Sequence, residues 1–200
     1  MRVLVACEYS GTVRRAFAAR GHDAWSCDLL PADDDSPNHI MGDVRYLING
    51  PGAKTWDLMI AHPPCTYMTN AGVCWLHKDP SRWDKLGEAA IFFKELYNCD
   101  VPRICVENPI MHKYARALVG VSYTHIVQPW MFGHTEQKAT CLWLKDLPPL
   151  VKTSDVKSAM MKLPHRERNR LHYLPPSKDR WKIRSTTYQG IADAMASQWG

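Results

Sequence analysis

Two kinds of segment alternate along this chain, and the alternation limits the folds open to it. Arg2-Val3-Leu4-Val5-Ala6-Cys7 is a short apolar run that stops at "EYSG", the pattern of a strand buried on both faces and entering a turn. The next stretch, "GTVRRAFAARGHD", sets Val13, Ala16, Phe17 and Arg20 at helical spacing, with Gly21 as the stop. "DAWSCDLL" reads as a second strand, "HIMGDVR" as a short third strand or turn, and "TWDLMIA" as a fourth. Asp79-Pro80 then offers an N-cap and a first-turn proline, after which Trp83, Leu86, Ala90, Phe93 and Tyr97 recur at 3,4,3,4 spacing. "VPRICVEN" is a fifth strand, "MHKYARALVG" a helix, "SYTHIVQPW" and "TCLWL" two more strands, and "TTYQGIADAMASQWG" a closing helix. Strands that alternate with helices predict an α/β fold with a mostly parallel, doubly wound sheet.

A chain of 200 residues suits one such domain. No apolar run approaches the roughly 20 residues of a membrane span, and the N-terminus reaches Glu8 too soon for a signal peptide. The seven cysteines are odd in number and form no CxxC pair, which argues against a disulfide framework and for a reducing compartment, by default the cytoplasm. His62, Cys65, Cys74 and His77 match no usual zinc spacing, so no metal is expected. The charge is uneven. Residues 152–184 hold ten Lys/Arg against three Asp/Glu, while the rest of the chain is slightly acidic. Such a segment is either a solvated surface or a contact for a polyanion.

In doubly wound sheets, ligands sit beyond the carboxyl ends of the strands. Here those ends read "CEYSG", "CD", "GD", "HPPC" and "EN". The first turn has a single glycine, Gly11, and is not the GxGxxG of a dinucleotide fold; with Glu8, Tyr9 and Ser10 it would bring backbone N–H groups and a helix N-terminus to a ligand. Asp28, about twenty residues on, is placed for ribose hydroxyls, and Asp43 for an adenine amino group. Singly, each acid is equally a cap or turn residue; three in register carry more weight.

In this order, "VLVACEYSGTVRRAFAARGHDAWSCDLLPA", "HIMGDV", "WDLMIAHPPCTYMTNAG" and "ICVENP" resemble the motifs of DNA (cytosine-5)-methyltransferases over roughly residues 2–110. "GHTEQKATCLWL" and "TTYQGIADAMA" resemble that family's later base-contacting strand and C-terminal helix. The resemblance implies a Rossmann-like methyltransferase fold, S-adenosylmethionine as cofactor and DNA, single- or double-stranded, as partner. It assigns Cys65 as the nucleophile, Glu107 as the acid at cytosine N3, and Asn108 as the residue that positions the loop. The cofactor would meet Glu8, Tyr9, Ser10, Gly11, Asp28, Leu29, Asp43, Val44 and Pro63. Pro64, Gln137, Lys138, Arg166, Arg168, Arg170 and Trp181 would face the substrate. The chemistry asks for these residue types. A thiolate adding to C6 makes C5 nucleophilic, and a carboxylic acid whose pKa burial has raised stabilises the charge at N3.

The chain departs from the family in several places. Gln137 is followed by Lys138 and no arginine stands in register, Glu-Asn continues with Pro109, and the first turn is poorer in glycine. Residues 1–147 are expected to form the catalytic domain, and 185–200 a helix returning to it. Between them 148–184, proline-containing and without clear periodicity, replaces a far larger target-recognition domain. Low sequence specificity, a single-stranded substrate, or reliance on a partner or homodimer follows. The alternatives are the same chemistry on a free pyrimidine nucleotide or RNA, or a nucleic-acid-binding regulatory homologue with reduced catalysis.

Overall fold

The computed structural model describes residues 1–200, apart from the side chains of residues 52–54. Seven strands form one sheet: β1 (Arg2–Ala6), β2 (Asp23–Asp28), β3 (His39–Met41), β4 (Leu58–Ala61), β5 (Arg103–Pro109), β6 (His125–Val127) and β7 (Thr140–Lys145), in the order β3-β2-β1-β4-β5-β7-β6. The five strands from β3 to β5 are mutually parallel, and β7 runs antiparallel to both its neighbours. The sheet is thus mixed, mostly parallel and doubly wound. Its helices are α1 (Thr12–Ala18), α2 (Arg45–Ile48), α3 (Asn70–Val73), α4 (Ser81–Asn98), α5 (Lys113–Val119), α6 (Lys157–Lys162), α7 (His165–Arg168), α8 (Arg180–Ser185) and α9 (Gln189–Trp199).

Both faces of the central strands are covered, as their uninterrupted apolar runs require. Successive side chains of a strand point to opposite faces. Leu4 and Ala6 of β1, Met59 and Ala61 of β4, and Ile104 and Val106 of β5 pack with Leu86, Ala90, Phe93 and Leu96 of α4 and with Ala115 and Val119 of α5. Val3, Val5, Leu58, Ile60 and Cys105 pack on the other face, with Val13, Ala16 and Phe17 of α1 and Ile191, Ala192, Met195 and Trp199 of α9. The last helix therefore completes the core. Arg103 Nη1 also donates to the Trp199 carbonyl at 3.2 Å, and Trp199 Nε1 to the Pro148 carbonyl at 2.9 Å.

Three sequence expectations need adjustment. The proposed strand "SYTHIVQPW" shortens to His125–Val127, because Pro129 opens a 3-10 turn over Pro129–Met131. The N-cap of α4 is Pro80 and not Asp79; the helix begins at Ser81, one residue beyond the proline, and Asp79 Oδ1 accepts from Ser81 N at 3.1 Å from outside the cap. Residues 148–184, expected to lack clear periodicity, contain the short helices α6 and α7 and most of α8. Among the described residues no helix is long and apolar enough to cross a membrane.

Phe17 is fully buried between α1, α9 and the sheet. Phe17→Ala is expected to destabilise the fold by about 3–5 kcal/mol, measured as a lower midpoint in urea unfolding with an unchanged slope.

Candidate active site

Strand β1 pairs with β2 on one side and β4 on the other, so the chain reverses its winding direction between β1 and β4. The carboxyl ends at such a switch point bound a ligand crevice. Here they supply the turn Cys7–Gly11 and the loop His62-Pro63-Pro64-Cys65. The register of β4 on β5 pairs Ala61 with Val106, so the next residues, His62 and Glu107, meet. His62 Nδ1 lies 2.8 Å from Glu107 Oε2, with side chains only 9% and 15% exposed.

That contact reverses one expectation from the sequence. Burial does push the Glu107 carboxyl up, but the hydrogen bond and charge of His62, with Lys138 nearby, outweigh it and hold the carboxyl below its ordinary range. Burial pulls His62 down, and Glu107 with Glu8 outweighs that, so the imidazole sits above its usual value against opposition from Lys138. Each partner thus shifts the other toward its charged form. Sequence reading considered His62 only as a metal ligand; its signal was a histidine directly before Pro-Pro-Cys.

The loop between His62 and α3 is held at several points. Asn108 Nδ2 donates to the buried Pro63 carbonyl at 3.2 Å, so Asn108 does touch the loop it was expected to position. The Cys65 carbonyl accepts from the N–H groups of Met68 and Thr69 at 3.0 and 3.2 Å. His112 Nε2 lies 2.9 Å from the Tyr67 carbonyl, while its Nδ1 accepts from Ala115 N at 3.1 Å; the ring is therefore neutral with its proton on Nε2. Gly72 approaches so closely that a Cβ there would lie 2.5 Å from the Thr66 carbonyl oxygen. Pro64 is exposed and Cys65 half-buried. Burial and then the Glu107 charge push the Cys65 thiol up, with Lys138 and Arg184 pulling it back. Cys27, Cys105 and Cys141 are buried, as expected of structural thiols, and Cys7 is half-buried just past the end of β1.

The first turn is used differently from the sequence expectation. Glu8 is buried, and its carboxylate accepts from Val13 N at 2.7 Å and Arg14 N at 3.2 Å, capping α1 itself. The N–H groups expected to greet a ligand thus already serve Glu8. Gly11 adopts φ +66° there, and a side chain at this position would strike Arg14. Ser10 Oγ lies 3.4 Å from Glu8 Oε1. The Tyr9 hydroxyl reaches Ser185 Oγ at 3.0 Å and its ring meets Trp181 at 5.5 Å. Trp181 is thus set against the first turn, though half-exposed. Asp28 accepts from Leu30 N at 3.0 Å and sits beside Leu29, which is 75% exposed. Burial pushes its carboxyl up, while the backbone N–H of Leu30 and the charge of His39 draw it back. Asp43 is already engaged: its two oxygens accept from Arg45 N at 2.9 Å and Arg45 Nη1 at 3.2 Å, and Val44 behind it is buried.

The residues expected to face substrate divide. Lys138 reaches this centre: its charge acts on Glu107, His62 and Cys65, and its Nζ donates to the Arg184 carbonyl at 2.9 Å. Gln137 lies outside it, its N–H donating to the Arg168 carbonyl at 2.6 Å and its Oε1 accepting from Asn169 Nδ2 at 3.4 Å. Arg170 pairs with Glu136 at 3.0 Å, which also accepts from the Tyr188 hydroxyl at 2.9 Å. Arg168 Nη1 turns to the Met161 carbonyl at 3.5 Å. Arg166 is exposed and lines, with Arg170 and Tyr173, an open cleft of about 700 Å³. Beside Glu107, the recess walled by Lys138, Thr187, Tyr188 and Met195 measures about 10 Å³, room for one water molecule. A ring can reach the carboxylate there only if a wall shifts. Two buried polar atoms near the Pro63 loop, His62 Nε2 and Asn108 Oδ1, have no partner.

No family model matches the chain, and no curated protein matches it. Among solved structures, one provisionally described as a DNA modification methyltransferase encoded within a prophage of E. coli superposes with a TM-score of 0.48 and 18% identity. The match covers 82% of this chain, and the chain spans 56% of the length of that protein.

The pH response of the buried pair follows from these shifts. His62, raised from 6.5, adds stability that is complete below that value and lost as pH rises through its folded pKa. Glu107, lowered from 4.5, adds stability present above that value and lost as pH falls through its folded pKa. The pair therefore contributes fully between about pH 4.5 and 6.5. Glu107→Gln, which leaves the buried imidazole uncompensated, is expected to cost about 3–5 kcal/mol and to flatten this window in urea unfolding across pH.

Proposed function

We propose that the protein transfers a methyl group from S-adenosylmethionine to C5 of cytosine in DNA, through a covalent adduct at Cys65. The observation that carries this reading is the strand end itself: a half-buried cysteine on a pinned Pro-Pro-Cys loop, beside a buried carboxylate–imidazole pair at the switch point.

The cofactor fits the chain at its ribose end. Asp28, half-buried at the end of β2 and drawn toward its protonated form by burial, would take the ribose hydroxyls, and the exposed Leu29 would lie against the adenine. The fit is poorer at Asp43, whose oxygens serve Arg45, and at the α1 N-terminus, which Glu8 caps. When bound, S-adenosylmethionine supplies an electrophilic methyl group on a sulfonium.

The residues of the chain supply the rest. Cys65 adds to C6 as the thiolate, which puts electron density on C5 and negative charge on N3 and O2. Lys138 and Arg184, whose charges already favour the thiolate, offset part of its burial cost. As charge builds on the ring, the proton held between His62 Nδ1 and Glu107 Oε2, 2.8 Å apart, would pass to the Glu107 carboxyl, which donates a proton to N3 and leaves His62 neutral. No arginine stands in register after Gln137, and Lys138 would take over the contact to the cytosine O2 as a point charge. After transfer, loss of the C5 proton to a base expels the Cys65 thiolate and restores the aromatic ring.

Incubation with labelled S-adenosylmethionine and single- or double-stranded DNA, followed by nucleoside mass spectrometry, is expected to yield 5-methylcytosine. DNA containing 5-fluorocytosine should trap a covalent complex that Cys65→Ser abolishes. No adduct on either strand form, with cofactor binding intact by calorimetry, would overturn the reading.

A further inference from the structure

Outside the centre described above, the segment that follows Cys65 builds a face of rings and unpaired cations. Tyr67 stands two residues beyond the cysteine; the Arg82 guanidinium lies 4.9 Å over its ring and the Lys85 ammonium 5.9 Å from it. Further along, Trp83 meets Tyr114 edge-on at 5.0 Å and His77 at 5.7 Å, and Lys113 lies 4.8 Å over Tyr114. Lys78 lies 4.8 Å over Trp75. Trp75 is 51% exposed and Trp83 37%. Large rings left this open, and in contact with one another's cations, differ from singly scattered surface apolar residues.

The charges on this face are available. Asp79 and Asp84 lie close in the chain to Lys78, Arg82 and Lys85; Asp79 accepts from the N–H and hydroxyl of Ser81, and the charges of Lys85 and Arg82 also act on it. Among the described residues none of Lys78, Arg82, Lys85 and Lys113 forms an ion pair. The C-terminal basic segment differs: Lys152, Arg170 and Lys182 are paired with Asp155, Glu136 and Asp33. The other seven of its ten Lys/Arg form no ion pair among the described residues.

We propose that the face formed by Tyr67, Trp75, Lys78, Arg82, Trp83 and Lys85 binds single-stranded nucleic acid and leads it to Cys65. Single strands are held by cations that track the phosphates and by rings on which unpaired bases stack. A duplex keeps its base faces stacked inside and could use only the cations. The face begins two residues from the cysteine, so a strand lying along it delivers its next base to the pinned loop. The inference deepens the function proposed above by naming the strand form and its path. It is tested by binding without cofactor, so the two readings fail separately.

The experiment is a fluorescence-anisotropy titration of the full chain with a labelled mixed-sequence DNA oligonucleotide of about 15 nucleotides, near one single-strand site size, at several salt concentrations. Trp75→Ala is expected to weaken binding about five- to a hundredfold. The double variant Lys78→Ala/Lys85→Ala should reduce the salt slope by about 1.4. The substituted side chains are exposed, and an unchanged circular-dichroism melt verifies folding. A duplex of the same sequence should bind more weakly and be indifferent to Trp75→Ala. Any of four results would overturn the proposal: no binding by the parent chain at low salt, unchanged affinity in these variants, equal affinity for the duplex, or loss confined to Arg166→Ala and Arg168→Ala. Strand binding that responds as expected without methyl transfer would sink only the preceding reading. Methyl transfer with binding untouched by these variants would sink only this one.

Discussion

A histidine and a glutamate buried side by side at the ends of two parallel strands set the terms for the rest of this site. Each would be costly alone in an apolar interior, and they persist because they share a 2.8 Å hydrogen bond and opposite charge. The pairing is a consequence of register. Once Ala61 lies opposite Val106, the following residues must meet. A slip of one residue would turn every side chain of β4 to the wrong face and strand both charges. The residues that follow inherit this position. Asn108, next to Glu107, reaches the Pro63 carbonyl, and His112 ties Tyr67 to the start of α5. The loop that presents Cys65 is thus fixed to β5 and α5 as well as to its own strand.

The C-terminal part of the chain is structural before it is anything else. Helix α9 fills one face of the core, and α8 lies over the first turn through Tyr9, Trp181 and the Lys182–Asp33 pair. The Arg184 carbonyl receives Lys138, which in turn bears electrostatically on Cys65 and Glu107. Movement of α8 would therefore be felt at the nucleophile and at the first turn together. The recess beside Glu107, sized for one water, lies against the same part of the chain.

The fold was readable because a two-faced apolar strand and a 3,4-spaced helix leave periodic marks. β1, β4, β5, α1 and α4 all sit where their patterns place them. The shorter elements escaped for physical reasons. α2 and α3 are single turns, too brief for periodicity, and the helices α6 to α8 have no apolar stripe because they lie on the surface, α7 and α8 burying no residue. The candidate site was readable as a set of strand ends but not as a set of partners. Glu8 has the look of a ligand contact and serves as a helix cap, and Asp43 serves Arg45. Nothing in "HPPC" or "EN" announces that their histidine and glutamate touch.

By itself the sequence determined the class of fold, the order of the strands that carry polar ends, and the placing of a cysteine just beyond one of them. Those properties are local, since they depend on periodicity and on where an apolar run stops. Only the tertiary structure decided protonation and availability. Whether Glu107 is an acid or a carboxylate depends on His62, 45 residues away in the chain, and whether a basic residue is free depends on which carboxylate folds against it. Charge interactions reach across strands and helices. The chain assigns their partners only when it folds.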